Sequence, residues 1–533
     1  MSSSSSSSSS SIWWIPNQEN IYIKGQIVEQ SASGLTKFRS IDNDNIITCK
    51  LDDCEKYIDN ETYDNDDMIT LSDVNQASIL HCSKIRFFDN KIYTSLGSVL
   101  MLVNPFKRIN SLYGSNVINT YTNPNVEGLP SHIYNIPSSA YEAMIKSERS
   151  QSILISGESG AGKTEATKEC LTFLTAITSV NQSNSEKNIA FDVANRIIAS
   201  SPIMEAFGNA QTIKNPNSSR FGKWMELRFD KKTNKIGSSR IESYLLEKSR
   251  VTKHDSKERN YHIFYQVIRG ADNDTLKELG LSQSTLDYYY LCGMYGHETS
   301  DLDDKKRYQE TSEALQTMGF TLPMIKYILK VIAAVLHLGN IKITPDTSDG
   351  ATIDSKESNL VIASKLLNVE SFLLRDGLTT TTITSASQRR SIIKKSLSVE
   401  RATELRNSVA RELFDRLFRF IIDNINNNAN KRNSVVSGPS FEESEHYIGL
   451  LDIFGFEIFE INSMEQLCIN YCNEILQGYF NHVIFEAEKQ LYVMEGISCN
   501  SIDCKDNINI INDIQSLFKA LDEEAKVNLY NCY

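Results

Sequence analysis

Ile153-Leu154-Ile155-Ser156-Gly157-Glu158-Ser159-Gly160-Ala161-Gly162-Lys163-Thr164 is the stretch that decides the fold of this chain. An apolar run breaks into a glycine-rich turn and helix-forming residues follow, so the pattern predicts a buried strand, a loop and a helix. From Gly157 to Thr164 the sequence matches G-x-x-x-x-G-K-[ST], the P-loop pattern. A chance glycine loop is the alternative, but the strand before the loop and the helix after it are the context that the motif requires.

The P-loop predicts a binding site for a nucleoside triphosphate. Its glycines let successive backbone N–H groups point at an anion, and the positive end of the following helix faces the same anion. Lys163 can reach the β- and γ-phosphates, and the Thr164 hydroxyl can ligate Mg²⁺. We therefore predict ATP and Mg²⁺ as cofactors. The predicted nucleotide-binding residues of the loop are Gly157, Glu158, Ser159, Gly160, Ala161, Gly162, Lys163 and Thr164.

Length and composition limit the class of protein. A chain of 533 residues is too long for one ordinary core, which predicts two to four subdomains. The net charge of −12 argues against a general nucleic-acid partner. Ten cysteines form no CxxC pair, and the four-residue spacing of Cys468 and Cys472 favours core packing over a metal site. Because neither a leader nor an apolar run of about 18 residues occurs, we expect a soluble intracellular protein without a transmembrane segment.

The chain divides into three predicted regions. Residues 1–11 contain ten consecutive serines and are expected to be disordered. Residues 12–58 carry short β-branched and aromatic runs between turn residues, which predicts a small N-terminal β-barrel-like subdomain. For residues 59–533 we predict an α/β P-loop NTPase fold, with a central, mostly parallel, twisted sheet flanked by helices and a large helical subdomain.

Two further segments carry groups that triphosphate chemistry needs. Asp452 follows a buried strand and can steer Mg²⁺ or its water ligands. The segment from Asn215 to Arg220 supplies two amides, two hydroxyls and a guanidinium, which suit phosphate contacts and the positioning of water. Taken singly, each segment is also explained as an ordinary polar turn. Their combination with the P-loop favours a hydrolytic site.

Several motifs resemble those of the myosin motor family. GESGAGKT (157–164), NPNSSRFGK (215–223) and DIFGFE (452–457) look like its P-loop, switch I and switch II. LVNPFK, AFGNAQTIKN, SYLLEKSRV, ERNYHIFYQ and NSMEQLCINYCNEILQGYFN also resemble family segments and occur in the family's order. The resemblance covers about Ile12 to Glu495 and implies an actin-activated ATPase whose helical upper subdomain faces actin.

The resemblance implies a role for each residue around the phosphates. Lys163 and Ser159 would hold the γ-phosphate, and Thr164 and Ser219 would ligate Mg²⁺, with Asp452 acting through water. Ser218 would touch the attacking water, and the Gly455 N–H would reach the γ-phosphate. Arg220 and Glu457 would form a salt bridge between the two switches. The implied catalytic residues are Lys163, Ser218, Ser219, Arg220, Gly455 and Glu457.

The resemblance also implies how the rest of the nucleotide is bound. Asn215 would contact the α- and β-phosphates, whereas Asn104, Pro105, Lys107 and Tyr113 would edge the adenine pocket. A solvated strand-end carboxylate is the alternative for Glu457, and the salt bridge is favoured.

Coupling and regulation are implied in the same way. A long helix from Ser463 to Glu495 follows switch II directly, in the position of the family's relay helix. The basic segment 388–395 resembles an actin-facing loop in which Ser391 is a candidate phosphorylation site, with an ordinary loop serine as an equal alternative. Cys499 stands where the family usually has a tryptophan.

The similarity predicts a motor that is incomplete within this chain. The family's main lower actin-contact surface, converter and light-chain-binding motifs would follow Tyr533, so light chains are expected only for a longer product. Two functions remain open. The chain is either the ATP-hydrolysing portion of an actin-based motor, located in the cytoplasm on the actin cytoskeleton, or a truncated, non-motile nucleotide-binding or regulatory protein derived from a myosin.

Overall fold

A computed structural model describes residues 11–31, 34–58, 62–123, 126, 128–179, 184–292, 303–346, 350–384, 392–430, 445–460, 462–498 and 506–531. The serine tract before residue 11, Ser391 and Cys499 lie outside these residues. The helices are α1 (Gln76–Phe88), α2 (Ser115–Tyr121), α3 (Asn135–Ser147), α4 (Lys163–Ser179), α5 (Asn184–Gly208), α6 (His262–Gly270), α7 (Asn273–Leu279), α8 (Tyr289–Cys292), α9 (Asp304–Thr317), α10 (Leu322–Asn340), α11 (Ser358–Leu367), α12 (Ser371–Thr379), α13 (Val399–Asn430), α14 (Met464–Asn481), α15 (Ala487–Met494) and α16 (Ile508–Asn531).

The described strands form a five-stranded sheet, a four-stranded sheet that carries the predicted site, and several two-stranded sheets. They are β1 (Ile12–Asn17), β2 (Ile21–Gln30), β3 (Leu35–Ser40), β4 (Ile46–Lys50), β5 (Glu55–Lys56), β6 (Tyr93–Leu96), β7 (Val99–Leu102), β8 (Gln151–Ile155), β9 (Asn209–Ala210), β10 (Ser218–Ser219), β11 (Gly222–Asp230), β12 (Ile236–Tyr244), β13 (Thr344–Pro345), β14 (Ala351–Thr352), β15 (Thr380–Thr384), β16 (Ile392–Ser396) and β17 (Glu445–Asp452). The chain separates into two compact units, residues 1–142 with 169–177, and residues 143–168 with 178–533.

The first unit contains an antiparallel sheet in the order β4-β3-β2-β1-β5. Ile15, Ile23, Phe38 and Cys54 form its buried core. For the β-barrel-like subdomain predicted over residues 12–58, the described strands do not close into a barrel. A barrel requires its two edge strands to pair with each other. Here β4 and the two-residue β5 remain the edges, so the sheet is open.

The second unit contains the four-stranded sheet, in the order β12-β11-β17-β8. Only β17 and β8 pair in parallel, whereas β11 pairs antiparallel with both β12 and β17. The prediction of a mostly parallel sheet is therefore wrong for the described strands. The reason is connectivity, because β11 and β12 are joined by a short turn and a short turn allows only antiparallel pairing. The parallel pair places Ile155 and Asp452 side by side at one end of the sheet.

A close approach between two strands marks the centre of this sheet. Trp224 on β11 packs over Gly449 on β17, and a Cβ added to Gly449 would lie 2.0 Å from the indole ring. The Trp224 Nε1–H donates to Glu226 at 3.0 Å, and the ring meets Tyr447 edge-on at 6.3 Å between centroids. Glycine at position 449 thus lets a large aromatic ring cover the strand that leads to Asp452.

Helices make up most of the second unit, which agrees with the large helical subdomain that the sequence predicts. By length and composition α10 could cross a membrane, and 56% of its apolar window is buried inside the protein. Its buried residues run from Ile328 to Gly339, and core helices of folded proteins meet the same criterion. We therefore assign α10 to the core of the second unit.

The long helix predicted from Ser463 is present with one irregularity. Ser463 caps α14 in a reciprocal capping box with Gln466, which fixes where the helix begins. A five-residue π-helical turn from His482 to Glu486 then joins α14 to α15. Tyr471 of α14 packs edge-on against Phe518 of α16 at 5.2 Å between ring centroids.

Candidate functional site

The P-loop lies between β8 and α4, as the sequence predicts. Three of its glycines have positive φ, at +148° for Gly157, +85° for Gly160 and +93° for Gly162, which side chains rarely allow. The Lys163 Nζ donates to the carbonyl oxygens of Gly157 and Glu158, each at 2.9 Å. Burial lowers the pKa of Lys163, against the opposing effect of Asp452. The loop therefore holds a half-buried cation over its own backbone.

Oxygen ligands suited to Mg²⁺ converge beside this loop. The Thr164 hydroxyl donates to the Asp452 carboxylate at 3.2 Å, and the Ser219 hydroxyl donates to the Phe221 carbonyl at 3.0 Å. Thr164, Ser219 and Asp452 line one small pocket. Two hydroxyls and a carboxylate fit Mg²⁺, which prefers oxygen ligands and retains waters. Among the described residues, no group of three or more His, Cys, Asp or Glu side chains offers a different metal site.

Lys223 is a residue of this corner that sequence reasoning did not single out. Its Nζ lies 3.6 Å from the same Asp452 oxygen that accepts from Thr164, and its side chain is 12% exposed. It also lines the pocket with Thr164 and Ser219. Lys223 belongs to the NPNSSRFGK segment, and this membership could have marked it as a candidate site residue. Its place opposite Asp452, however, follows only from the β11–β17 register.

The segment that includes Ser218 contacts the P-loop directly. The Ser218 and Ser159 hydroxyls lie 3.2 Å apart. The Asn215 side-chain oxygen accepts from the Asn217 N–H at 2.9 Å and so stabilises the turn, while its Nδ2 lies 3.8 Å from the place of a Cβ on Gly160. The structure thus brings Asn215 and Ser218 of the predicted switch I segment to the phosphate loop.

Arg220 and Glu457 form the predicted ion pair. The guanidinium donates to the two carboxylate oxygens at 2.5 and 3.1 Å, and both side chains are almost completely buried. Arg220 also donates to Ser218 at 3.3 Å. Burial acts to lower the pKa of Arg220, but Glu247 and Glu457 outweigh it and raise that pKa. The bidentate geometry joins two segments that are 237 residues apart in sequence.

Glu247 is the second carboxylate on Arg220, and no motif in the sequence predicts a role for it. It accepts from Arg220 Nε at 2.7 Å and from Arg250 Nε at 2.6 Å. Burial acts to raise its pKa, but Arg250 and Arg220 outweigh burial and lower it to about 2. Glu247 lies in the SYLLEKSRV segment, which resembles a family segment but has no predicted role.

Gly455 approaches the P-loop more closely than any residue with a side chain could. A Cβ at this position would lie 2.4 Å from the Gly157 carbonyl oxygen and 2.6 Å from the Ser159 nitrogen. Two residues further on, the Glu457 backbone exchanges hydrogen bonds with the Asn470 side chain at 2.8 and 2.7 Å. The segment that touches the P-loop is therefore also bonded to α14.

The four residues predicted to edge the adenine pocket lie in the first compact unit. Asn104 accepts from the Phe106 N–H at 2.9 Å and shapes a turn before Lys107. The Tyr113 hydroxyl lies 2.8 Å from the Tyr93 hydroxyl, and the Arg108 guanidinium lies 5.0 Å from the Tyr113 ring centre. Two effects raise the pKa of Tyr93: burial is the larger, and the hydrogen bond with Tyr113 is the second. The adenine-binding role of Asn104, Pro105, Lys107 and Tyr113 remains a prediction.

A strand, a glycine-rich loop and a helix, with an acidic residue on the neighbouring parallel strand, define a P-loop nucleotide-binding fold. The chain belongs to the myosin motor-domain family, because the model of the myosin head (motor domain) matches residues 65–530. The family resemblance noted in the sequence is thereby confirmed.

Several yeast myosins are similar to this chain. It is 36% identical to Myosin-2 of Lachancea kluyveri over 96% of the chain and 33% of that protein. It is 36% identical to Myosin-52 of Schizosaccharomyces pombe over 96% of the chain and 34% of that protein. Identity to Myosin-4 of Saccharomyces cerevisiae is 37%, over 87% of the chain and 31% of that protein. The chain spans about a third of the length of the curated relatives it matches.

Proposed function

We propose that this chain is the ATP-binding and ATP-hydrolysing portion of an actin-based myosin motor. The observation that carries the proposal is the Arg220–Glu457 ion pair. It joins the Ser218 segment to the Gly455 segment, and both segments touch the P-loop. A chain that only stored a nucleotide would not need a buried bridge between two separate segments at the phosphate end of the site.

The proposed chemistry assigns each group one task. Lys163 and Ser159 hold the γ-phosphate, Asn215 contacts the α- and β-phosphates, and the Gly455 N–H donates to the γ-phosphate. Thr164 and Ser219 would hold Mg²⁺, with Asp452 acting through water, and the ion would supply neutralisation of charge on the phosphates. Ser218 orients the attacking water and passes its proton toward phosphate. Catalysis in this scheme is positioning combined with electrostatic stabilisation.

Coupling to movement is proposed through the bonds between Glu457 and α14. Asn470 fixes the Glu457 backbone, and the Gln466 amide donates to the Glu457 carboxylate at 3.3 Å. If Gly455 moves toward or away from phosphate, these bonds transmit the displacement to the helix. Asn104, Pro105, Lys107 and Tyr113 are proposed to edge the adenine. Actin filaments are the proposed partner, with a location on the cytoplasmic actin cytoskeleton.

The proposal is tested first at Lys163. Lys163→Ala removes the cation that faces the phosphates, so affinity for a fluorescent ATP analogue is expected to fall more than about 100-fold, the loss of nearly 3 kcal/mol that a desolvated charge–phosphate contact supplies. Lys232→Ala, which removes the same charge from the exposed turn after β11, is the matched control and should bind normally. Unchanged affinity in Lys163→Ala would refute the phosphate site.

A second measurement separates the motor from the alternative. Turnover of Mg-ATP is measured with and without actin filaments, using this chain and a product extended beyond Tyr533. Activation of the extended product by actin supports the motor. Basal turnover without activation in both proteins would instead support a non-motile nucleotide-binding protein.

A further inference from the structure

Two cysteine thiols meet where the small sheet of the first unit is open. Cys49 lies on β4, one edge of the sheet, and Cys54 comes directly before β5, the other edge. Their Sγ atoms are 3.3 Å apart, although the hydrogen-bond ladder does not connect β4 with β5. The contact therefore spans the gap that separates this sheet from a closed barrel.

The surroundings give the two thiols different exposure. Cys54 is 7% exposed and belongs to the core with Ile15, Ile23 and Phe38, whereas Cys49 is half-buried at the border of that core. The Cys54 thiol also lies 3.4 Å from the Lys50 carbonyl, to which it can donate. Both cysteines are reduced. Peroxide can reach Cys49 first, with a protected second thiol already in contact with it.

We propose that Cys49 and Cys54 form a reversible intramolecular disulfide that covalently joins the two edge strands of this sheet. Van der Waals packing between two small side chains is the alternative. Packing accounts for the burial of Cys54, but it does not explain why the residue in contact with it on β4 is also a cysteine. The proposal does not depend on nucleotide binding.

The oxidation is balanced with a peroxide as the oxidant. The Cys49 thiolate attacks a peroxide oxygen, the O–O bond breaks, and Cys49 becomes a sulfenic acid while water or an alcohol leaves. The Cys54 sulfur then attacks the Cys49 sulfur, the S–O bond breaks, and the hydroxide leaves with the Cys54 proton as water. Burial raises the pKa of Cys54 to about 12, so Cys54 stays protonated while Cys49 reacts with peroxide, and its proton must leave as it attacks the Cys49 sulfur. Two thiols and one hydrogen peroxide thus give one disulfide and two waters.

The disulfide would close a covalent ring that contains the short 3-10 turn Leu51–Asp53. Before oxidation, β4 and β5 are held only by β3 and β1, so each can fray on its own. After oxidation neither edge can separate without the other. Because cytosolic thiols are normally kept reduced, the bond would act as a transient response to oxidant and not as a permanent support.

The test uses the full chain and hydrogen peroxide. After a peroxide pulse, free thiols are alkylated and peptides are analysed by mass spectrometry. We expect a Cys49–Cys54 crosslink that dithiothreitol removes. Hydrogen exchange of the β4 and β5 amides should slow roughly tenfold in the oxidised protein. Lys163→Ala should form the crosslink equally, which separates this proposal from the proposed function.

Three variants or comparisons decide the outcome. Cys49→Ser should leave Cys54 alkylated, and Cys54→Ala should leave Cys49 as a sulfenic acid that dimedone traps. Cys468 and Cys472, one helical turn apart on α14, serve as the internal control and should stay reduced at the same dose. Two free thiols after the pulse, or equal oxidation of the α14 pair, would overturn the proposal.

Discussion

Two buried arginines, Arg220 and Arg250, share the carboxylate of Glu247 but differ in what else they hold. Arg250 bonds Glu258 at 2.8 Å and the Arg259 carbonyl at 3.0 Å, so all its partners lie within nine residues of it. Arg220 instead reaches Glu457, 237 residues away. The bonds of Arg250 stabilise one local segment of the chain. The bonds of Arg220 connect two distant segments that both touch the P-loop.

This difference teaches that equal burial does not imply equal purpose. Removing one partner of a buried ion pair leaves an uncompensated charge and costs stability in either place. The Arg220–Glu457 pair differs because Glu457 is bonded to Asn470 of α14. If α14 moves, Glu457 can move with it and separate from Arg220. We therefore expect the Arg250 network to determine stability and the Arg220 network to determine turnover.

The largest effect on stability is expected from Arg250→Ala. The change leaves Glu258 buried without its cation, so the free energy of unfolding should fall by about 3–5 kcal/mol. Denaturant unfolding followed by circular dichroism measures it. Arg250→Lys should recover only part of the loss because an ammonium lacks the guanidinium fork. Arg416→Ala removes an exposed pair with Glu412 and should cause no measurable change.

The next effect is expected on turnover, from Glu457→Ala. ATP binding should be retained, because Lys163 and Thr164 are unchanged, while hydrolysis should fall roughly 10²–10³-fold, as when one preorganised transition-state contact is lost. Quenched-flow measurement of phosphate formation separates the two steps. Arg220 keeps Glu247 as a partner, so the protein should remain folded. Normal hydrolysis in Glu457→Ala would contradict the division between the two networks.

The smallest effect is expected in acid, from the shared Glu247. Its pKa is lowered from 4.5 to about 2, so its carboxylate contributes stability that is fully present above pH 4.5 and lost as the pH falls toward 2. In Glu247→Gln, the slope of the unfolding free energy against pH below pH 4.5 should decrease by at most about 1.4 kcal/mol per pH unit. Unfolding free energies measured at several pH values test this, and an unchanged slope would contradict it.

The contents of the site could be predicted from the sequence because its motifs are local. The loop from Gly157 to Thr164 and the strand before Asp452 follow from spacing alone, and family resemblance paired Arg220 with Glu457. Glu247 and Lys223 were missed because their importance comes from partners far away in sequence. The β11–β17 register places Lys223 at Asp452, and no local pattern contains that register.

The fold was predicted less completely, and for a related reason. Strands and helices have local signatures, so the strand before the P-loop and the helix after Ser463 were expected. Direction and closure of a sheet depend on pairing between distant segments. The barrel failed because the two-residue β5 pairs with β1 and leaves β4 unpaired at the opposite edge. The prediction of a mostly parallel sheet was wrong because β11 pairs antiparallel with β17.

The indole ring over Gly449 has an optical consequence. The chain has three tryptophans, and Trp13 and Trp14 both lie in the first unit. Replacing those two with phenylalanine would leave Trp224 as the only indole, packed on the strand that ends at Asp452. Emission excited at the red edge of its absorption would then come from the centre of the four-stranded sheet alone. A single intrinsic fluorophore could thus follow that sheet without any attached dye.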